Sequence, residues 1–290
     1  SLADEIALNE ALLASGAPIA AMNTVRKHLS TIKGGRLALA AHPARVVSLI
    51  VSDIPGDDPA LVASGPTVAD AADRQEALAI VEAYRLALPE AAMRHLRSAA
   101  ADAPRPDDPA LAGNEVRIIA SAALSLEAAA REARRRGVAA VILSDAIEGE
   151  ARDVGSVHAA IAREIALRDR PFAKPVLLLS GGETTVTVRE KGGGKGGRNG
   201  EFLLAFALAV EGCAGIHGFA ADTDGIDGAG DNAGAFADST SAARMRAAHL
   251  DPRAALARND AWSAFHAVGD LFAPGPTGTN VNDLRAMLVR

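Results

Sequence analysis

The sequence predicts an α/β protein in which a largely parallel sheet is covered by helices on both faces. Short, fully apolar runs alternate with longer segments in which alanine and leucine recur at helical spacing. Strands that are buried on both faces lose the period-two pattern of half-exposed strands, so this alternation favours parallel pairing. The predicted strands are 45–51, 116–120, 138–143, 175–179 and 215–221, and the predicted helices are 2–14, 73–88, 122–136, 152–168 and 201–211.

Three segments interrupt this alternation. TTVTVR at 184–189 does alternate, which predicts an antiparallel hairpin with 175–179 at a sheet edge. Segment 98–114 contains three prolines and predicts a loop, and DRPFAKP at 169–175 gives a second break. Taking that second break as the boundary, we predict two domains, 1–170 and 171–290.

Composition excludes several classes of protein. The chain has 290 residues, 49% of them hydrophobic, which supplies ample core for one large or two ordinary domains. The net charge of −6 and an aromatic content of 3% argue against a nucleic-acid partner. Cys213 is the single cysteine, so no intrachain disulfide can form. No apolar run approaches the ~20 residues of a membrane span. We therefore expect a cytoplasmic protein with no membrane partner.

The segment 180–201 is the most informative part of the chain. Six glycines surround Lys195 and lead into Arg198, Asn199 and Glu201, where a helix is predicted to start. Glycine lets the backbone approach an anion closely, and the unpaired N–H groups at a helix amino end favour negative charge. The pattern is typical of a phosphate-binding loop, although a hairpin tip with solvated charges has the same composition.

Four aspartates follow the apolar strand predicted at 215–221. Asp222, Asp224, Asp227 and Asp231 lie within ten positions of one another, at the carboxyl end of that strand, where open α/β sheets place ligands. Mg²⁺ is usually held by one or two carboxylates together with substrate phosphates. The alternative is a surface cluster of Asp-Gly turns.

Polar residues that could complete one site occur in three further runs. GPTGTNVNDLR at 275–285 contains the first group, and 22–38 and 49–67 contain basic and acidic residues beside Gly-Gly and Gly-Pro turns. A basic helix end that compensates the helix dipole is the other interpretation of 22–38. The candidates are Thr277, Asn280 and Asn282 in the first run, and Arg26, Lys33 and Asp53 in the other two.

Two nucleotide-binding fingerprints fail on inspection. Gly192, Gly194 and Gly197 satisfy G-x-G-x-x-G, but the preceding TTVTVR alternates, whereas a dinucleotide-binding first strand is continuously apolar. Lys195 is followed by Gly196, so a Walker A loop would lack its hydroxyl ligand.

The motifs VRKHLSTIKGGRLA, SDIPGDDPALVASGPT, SGGETTVTV, GGRNGEFLLA, ADTDGIDG and GPTGTNVNDLR resemble, in wording and order, those of the glycerate 2-kinase family with a carboxyl-terminal MOFRL domain. The resemblance implies a Rossmann-like parallel-sheet domain, a second mixed α/β domain and an active site in the cleft between them. It also implies transfer of the ATP γ-phosphoryl group to the 2-hydroxyl of D-glycerate, with Mg²⁺.

Two alternatives stay open at this stage. Some relatives are named hydroxypyruvate reductase, which would require NAD(P)H. The amino-terminal Gly-Lys-Ala and Ser-Gly-Gly-Gly-Ser motifs of the family do not occur in this chain, so the Rossmann-like domain is expected to be incomplete, and a noncatalytic remnant is the third interpretation.

Expected roles follow from the residue types together with the resemblance. Arg198 matches the proposed catalytic arginine, and Asp222 and Asp224 are expected to position Mg²⁺ or the nucleophile, with Asp227 as a further metal ligand. Lys195 and the backbone at 192–197 would cradle phosphate, and Asn199 and Glu201 would orient Arg198. Arg26 or Lys33 would pair with the glycerate carboxylate. The expected substrate- and nucleotide-binding residues are Arg26, Lys33, Asp53, Gly194, Lys195, Gly196, Gly197, Asn199, Glu201, Thr277, Asn280 and Asn282. The expected partners are D-glycerate and a nucleotide, and a homodimer is possible.

Overall fold

The computed structural model describes residues 1–188 and 193–290. Two positions discussed above, Arg189 at the end of TTVTVR and Gly192 of the glycine fingerprint, lie outside the described residues. The chain forms two compact units, Ser1–Ile119 and Ala120–Arg290.

The first unit is mainly helical. Its buried core joins apolar residues of the first helices to Val81 and Leu96. Strands β1 and β2 pair as a two-stranded sheet. The elements are α1 (Leu2–Ala14), α2 (Ile19–His28), α3 (Arg36–Ala41), β1 (Val47–Val51), α4 (Arg74–Ala83), α5 (Glu90–Leu96) and β2 (Glu115–Ala120).

The second unit is built on a six-stranded sheet with the order β3-β5-β10-β7-β8-β9. Its strands are β3 (Ala139–Ser144), β4 (Gly149–Glu150), β5 (Val176–Gly182), β6 (Thr184–Thr185), β7 (Ile216–Asp222), β8 (Gly234–Asp238), β9 (Leu271–Phe272) and β10 (Asp283–Val289). Its helices are α6 (Ala122–Arg135), α7 (Ala151–Arg168), α8 (Arg198–Val210), α9 (Ser241–Ala247), α10 (Pro252–Ala257) and α11 (Ala261–Ala267).

The large sheet is mixed, as predicted for the second domain. Strands β3 and β5 are parallel, but β10 lies between β5 and β7 and runs antiparallel to both. The apolar runs predicted as strands are therefore confirmed, whereas the largely parallel pairing that they suggested holds only in part. Burial on both faces holds for β5, whereas β1 and β2 are exposed or half-buried along their length, so their apolar runs did not report burial.

The compact units divide at a different place from the predicted domains 1–170 and 171–290. Strand β3 pairs with β5, and α6 packs against both strands, so residues 120–170 share the core of the second unit. The domain limits themselves stay a prediction.

The hairpin predicted for 184–189 is wrong. Of the described residues 184–188, Thr184–Thr185 forms a strand, and it pairs in parallel with Gly149–Glu150 rather than with β5. Both edges of β5 are already taken by β3 and β10, which leaves no antiparallel partner position for this segment.

Helix α8 is the central helix of the second unit. It is buried on nearly all sides, and it packs against α7 and the sheet. Gly155 of α7 makes the close approach possible, since a Cβ atom there would lie 2.3 Å from the carbonyl oxygen of Phe202 in α8. Helix α8 also begins earlier than the predicted 201–211, with Arg198 as its first residue.

We expect Gly155→Ala to lower the free energy of unfolding of the second unit by about 2 kcal/mol or more. The added methyl meets backbone, which cannot rotate away, and overpacking outweighs the helix propensity gained by alanine. Urea unfolding followed by the fluorescence of Trp262, the single tryptophan of the chain, measures the change. Ser156→Ala, at an exposed position of the same helix, is the control and should change stability by less than about 0.5 kcal/mol. An unchanged midpoint for Gly155→Ala would contradict the packing described here.

Candidate active site of the second unit

Three strand ends meet at one edge of the large sheet. Asp283, the first residue of β10, pairs in register with Gly182 at the end of β5 and with Asp222 at the end of β7. Because β10 is antiparallel to its neighbours, its beginning lies beside their carboxyl ends, where α/β sheets place ligand chemistry.

Arg198 connects these strand ends to helix α8. Its terminal nitrogens donate to Glu183 Oε1 at 2.6 Å and to Asp222 Oδ2 at 2.6 Å, and its Nε donates to Asp283 Oδ1 at 2.8 Å. Burial disfavours the guanidinium charge, but the carboxylates of Asp283, Asp222 and Glu183 outweigh it and raise the pKa of Arg198 above its ordinary value. Arg198 is therefore a fixed, permanently positive group.

Asp222 lies beside Arg198 with its side chain only 6% exposed. Its Oδ1 accepts the backbone N–H of Asp224 at 3.2 Å. Burial raises the pKa of Asp222 to about 6, with Asp283 and Asp224 adding to the effect and the Asp224 N–H and Arg198 opposing it. The site thus concentrates negative charge that Arg198 does not fully compensate.

Asp227 bonds to the start of helix α8 and not to Arg198, and its assignment as a metal ligand stays a prediction. Its two carboxylate oxygens accept the backbone N–H groups of Asn199 at 3.0 Å and Gly200 at 2.8 Å, in the first turn of α8. Burial raises the pKa of Asp227 to about 6, although these hydrogen bonds oppose the shift. Asp227 is thus a capping residue for the helix that presents Arg198. Within residues 1–188 and 193–290, no three His, Cys, Asp or Glu side chains are grouped so that they could hold a metal ion by themselves.

The glycine loop is packed against the protein. A Cβ atom on Gly194 would lie 2.0 Å from Asp260 Cβ, and one on Gly197 would lie 2.3 Å from Asp227 Oδ1. The N–H of Gly194 donates to the Arg258 carbonyl at 2.8 Å, and the N–H of Lys195 donates to Asp260 Oδ1 at 3.0 Å. Those two N–H groups are occupied, so a phosphate cradle would depend on the other described glycines of the loop, Gly193, Gly196 and Gly197.

The Lys195 side chain forms a separate surface cluster. Its Nζ lies 3.7 Å from the centroid of the Trp262 ring and 3.2 Å from Asp231 Oδ1, which also accepts the Trp262 indole N–H at 2.8 Å. Lys195 is not among the residues that line the pocket beside Arg198. The phosphate-binding role predicted for its ammonium group therefore has no support in this geometry.

Asn199 and Glu201 behave differently from each other. Asn199 Nδ2 donates to Asp283 Oδ1 at 2.8 Å, so it acts on Arg198 through their shared acceptor. Glu201 instead accepts from Arg152 Nε at 2.7 Å and from Asn259 Nδ2 at 3.1 Å. The charge of Glu201 is paired with Arg152, and the prediction that Glu201 orients Arg198 stays a prediction.

The segment 275–285 forms hydrogen bonds with Thr223, in the turn that carries Asp222 and Asp224. Thr277 Oγ1 donates to the Thr223 carbonyl at 2.5 Å, and the Asn282 carbonyl accepts the hydroxyl of Thr223 at 2.7 Å. Asn280 lines the pocket. Of the three predicted ligands in this run, Asn280 lies at the site, while Thr277 and Asn282 hold the loop behind it.

A pocket of about 1120 Å³ opens beside Arg198. Every lining residue belongs to the second unit, and among the described ones the acidic side chains are Glu148, Glu183, Glu201, Asp222 and Asp224, against a single cation, Arg198. The other lining residues are Gly149, Thr184, Thr185, Val186, Val188, Gly193, Gly194, Gly196, Gly197, Ile226, Gly228, Ala229, Asn259 and Asn280.

One predicted ligand of the first unit, Arg26, forms hydrogen bonds within that unit. Arg26 Nε donates to Asn9 Oδ1 at 3.0 Å, and one terminal nitrogen of Arg26 donates to Asn23 Oδ1 at 3.2 Å. Arg26, Lys33 and Asp53 all belong to this unit, and their participation in the site stays a prediction.

Sequence reasoning assigned no role to three residues of this network, Glu183, Asp283 and Arg285, although Asp283 was among the polar residues of the 275–285 run. Asp283 and Arg285 are two residues apart at the start of a strand, a spacing that places both side chains on one face. That spacing was visible in NDLR, but only the sheet order shows that this face meets Arg198.

Comparison with known proteins agrees with this architecture. Residues 1–97 match the model of a domain of unknown function, DUF4147, and residues 176–283 match the MOFRL family. The chain is 52% identical to a putative hydroxypyruvate reductase of Agrobacterium vitis, covering 100% of the chain and 74% of that protein. It is 41% identical to the D-glycerate 2-kinase of Thermotoga maritima, covering 96% of the chain and 64% of that enzyme.

Solved structures show the same likeness. A crystal structure of glycerate kinase from Thermotoga maritima superposes with a TM-score of 0.90 at 39% identity, over 100% of the chain and 68% of that structure. The fold and these matches place the chain in the class of kinase enzymes. It belongs to the glycerate 2-kinase family with a MOFRL module, and it spans 64% to 74% of the length of the relatives described here.

Proposed function

We propose that the protein transfers the γ-phosphoryl group of ATP to the 2-hydroxyl of D-glycerate, with Mg²⁺. The observation that carries the proposal is Arg198, a permanently charged guanidinium held at 2.6–2.8 Å by three carboxylates at the pocket wall. Catalysis of phosphoryl transfer depends on positioning and on stabilising charge that spreads over the transferring group. The activity in the name of the Thermotoga maritima relative supports the choice of D-glycerate.

Arg198 would stabilise the transferring group. Asp283 is fully buried and holds Nε, whereas the Glu183 side chain is 56% exposed and holds a terminal nitrogen. A phosphoryl oxygen can therefore replace Glu183 at that nitrogen while Asp283 keeps the guanidinium in place. The new bond joins the 2-oxygen of glycerate to phosphorus as the bond to the ADP oxygen breaks, and Asp222 is placed to accept the hydroxyl proton.

The acidic lining of the pocket supports a divalent cation. Five carboxylates face a single described cation, so a nucleotide triphosphate would be repelled without added positive charge. Asp222 and Asp224 supply the one or two carboxylates that Mg²⁺ usually takes from a protein beside substrate phosphates. When bound, Mg²⁺ would neutralise charge on the β- and γ-phosphates. Arg26 and Lys33 remain our candidates for the glycerate carboxylate.

The reductase alternative has one supporting observation, the name of the Agrobacterium vitis relative. Its structural support is weak, because the last described strand before the glycine fingerprint is the two-residue β6 and not a long, continuously apolar buried strand. Parallel assays of the full-length protein separate the two activities. We expect ADP release that requires D-glycerate and Mg²⁺, and no NADPH oxidation with hydroxypyruvate. NADPH oxidation without ADP release would overturn the kinase proposal, and neither activity would favour a noncatalytic remnant.

Ligand binding by the 290-residue chain gives an independent prediction. Because the pocket residues all belong to the second unit, we expect Mg-ATP at about ten times its Kd to raise the melting temperature by about 3 °C, whereas NADPH should not. Arg198→Ala should reduce the rise. Thermal unfolding by circular dichroism measures it, and stabilisation by NADPH alone would favour the reductase.

None of the described helices is long and apolar enough to cross a membrane. A cytoplasmic location and a homodimer remain predictions from the sequence.

A further inference from the structure

The second unit contains a fully buried cation that the proposed reaction does not use. Arg285 lies on β10 with its side chain 0% exposed, two residues after Asp283 and on the same face of the strand. An isolated buried charge is costly, so such a residue requires partners that compensate it.

The partners of Arg285 belong to the edge of the sheet where the site lies. One terminal nitrogen donates to Asp283 Oδ2 at 2.6 Å and to Thr184 Oγ1 at 3.2 Å, and the other donates to the Gly181 carbonyl at 3.2 Å. The guanidinium also lies 5.3 Å from the centroid of the Phe202 ring. Arg285 therefore ties Asp283 to the end of β5 and to helix α8.

Asp283 is shared between two arginines. Its Oδ2 accepts from Arg285, while its Oδ1 accepts from Arg198 Nε at 2.8 Å and from Asn199 Nδ2 at 2.8 Å. Both carboxylate oxygens are thus held, and the plane of the carboxylate is fixed by donors on either side. Arg198 Nε has a rigid acceptor, and its terminal nitrogens are left on the side of Glu183 and Asp222, which line the pocket.

The charges lead to the same conclusion. With Arg285 present, Asp283 has a second cationic partner that does not itself line the pocket, so less of the Arg198 charge is compensated by Asp283. Without Arg285, Arg198 would be the remaining described cation bonded to Asp283, and the two would neutralise each other. The guanidinium would then be both less firmly oriented and less electropositive.

We propose that Arg285 is a positioning residue for Arg198 and acts on it through Asp283. The inference rests on the proposed function, in which Arg198 stabilises the transferring phosphoryl group. It adds that a second arginine, which touches neither substrate, fixes the orientation of Arg198 and reduces how far Asp283 compensates its positive charge.

A double-mutant cycle in the full-length protein tests the inference. Arg285→Met, which removes the charge at similar length, should lower kcat for D-glycerate phosphorylation at least tenfold while KM for D-glycerate changes less than about threefold. In an Arg198→Ala background the same change should lower kcat less than twofold, because the side chain that Arg285 positions is absent. Met245→Ala, a buried change on α9 outside the pocket, controls for lost stability and should leave kcat within about twofold.

A second arm keeps the test valid if Arg285→Met does not fold. Arg285→Lys retains the buried charge but not the planar fork, so it should lower kcat at least threefold with Arg198 present and have no effect without it. Equal factors in both backgrounds, with Arg198→Ala itself impaired about a hundredfold but still measurable, would overturn the inference alone. Full turnover of Arg198→Ala would overturn the proposed role of Arg198 and this inference with it.

Discussion

Replacing Arg198 with alanine is expected to lower kcat for D-glycerate phosphorylation at least about a hundredfold in the full-length protein. Arg198 is held by Glu183, Asp222 and Asp283, so its charge is oriented before substrate binds. A preorganised charge contact that strengthens in the transition state is worth roughly 3 kcal/mol. Steady-state ADP release gives kcat, and circular dichroism with urea unfolding reports whether the variant is folded.

Arg244→Ala is the matched control for this prediction. Arg244 also pairs with carboxylates in the second unit: it donates to Asp270 Oδ2 at 2.6 Å and lies 3.9 Å from Asp238 Oδ1, and neither aspartate lines the pocket. Its loss should leave kcat within about twofold, because partly exposed ion pairs contribute little to stability. Near-normal turnover of a well-folded Arg198→Ala protein would remove Arg198 from the mechanism.

Asp222→Asn is expected to have an effect of similar size. The substitution keeps the shape of the side chain and an oxygen that can accept from Arg198, but it removes the negative charge that we assign to Mg²⁺ and to the hydroxyl proton. Loss of a group that accepts a proton typically lowers the rate by about 10²–10⁴-fold. Turnover measured across a Mg²⁺ titration should fall at least about a hundredfold, or require far more metal.

Asp231→Asn provides the comparison within the same aspartate cluster. The Asp231 side chain is 78% exposed and pairs with Lys195 at the surface, away from the pocket lining. Its loss should change turnover by less than about threefold. Equal effects at Asp222 and Asp231 would favour the interpretation of the whole cluster as surface turns.

Much of the fold could be predicted because buried strands are visible in the sequence as short runs of apolar residues. The apolar runs at 175–179 and 215–221 became the central strands β5 and β7, and the mixed α/β class is confirmed. Strand order could not be predicted in the same way, since the neighbour of a strand is chosen by tertiary contacts. Nothing local in NDLRAMLV indicates that it lies between β5 and β7.

The site, too, could be predicted where local sequence patterns determine it and not where tertiary contacts do. The glycine loop pointed to Arg198, and the position at the end of β7 pointed to Asp222. In the structure these two side chains form a hydrogen bond of 2.6 Å. Asp227 and Lys195 were assigned by residue type, and the structure directs them elsewhere, to a helix cap and to a tryptophan. A carboxylate that binds backbone N–H groups and one that binds metal look alike in sequence, because what distinguishes them is the direction of the side chain.

The insertion of β10 between two strands that precede it in the chain has a consequence for synthesis on the ribosome. Strands β5 and β7 are translated first, and until residues 283–289 emerge each has an edge without its final partner. Open strand edges favour aggregation of nascent chains. The same late segment delivers Asp283 and Arg285, so a nascent chain acquires its paired sheet and its oriented Arg198 in one step, after nearly all of the second unit has been translated.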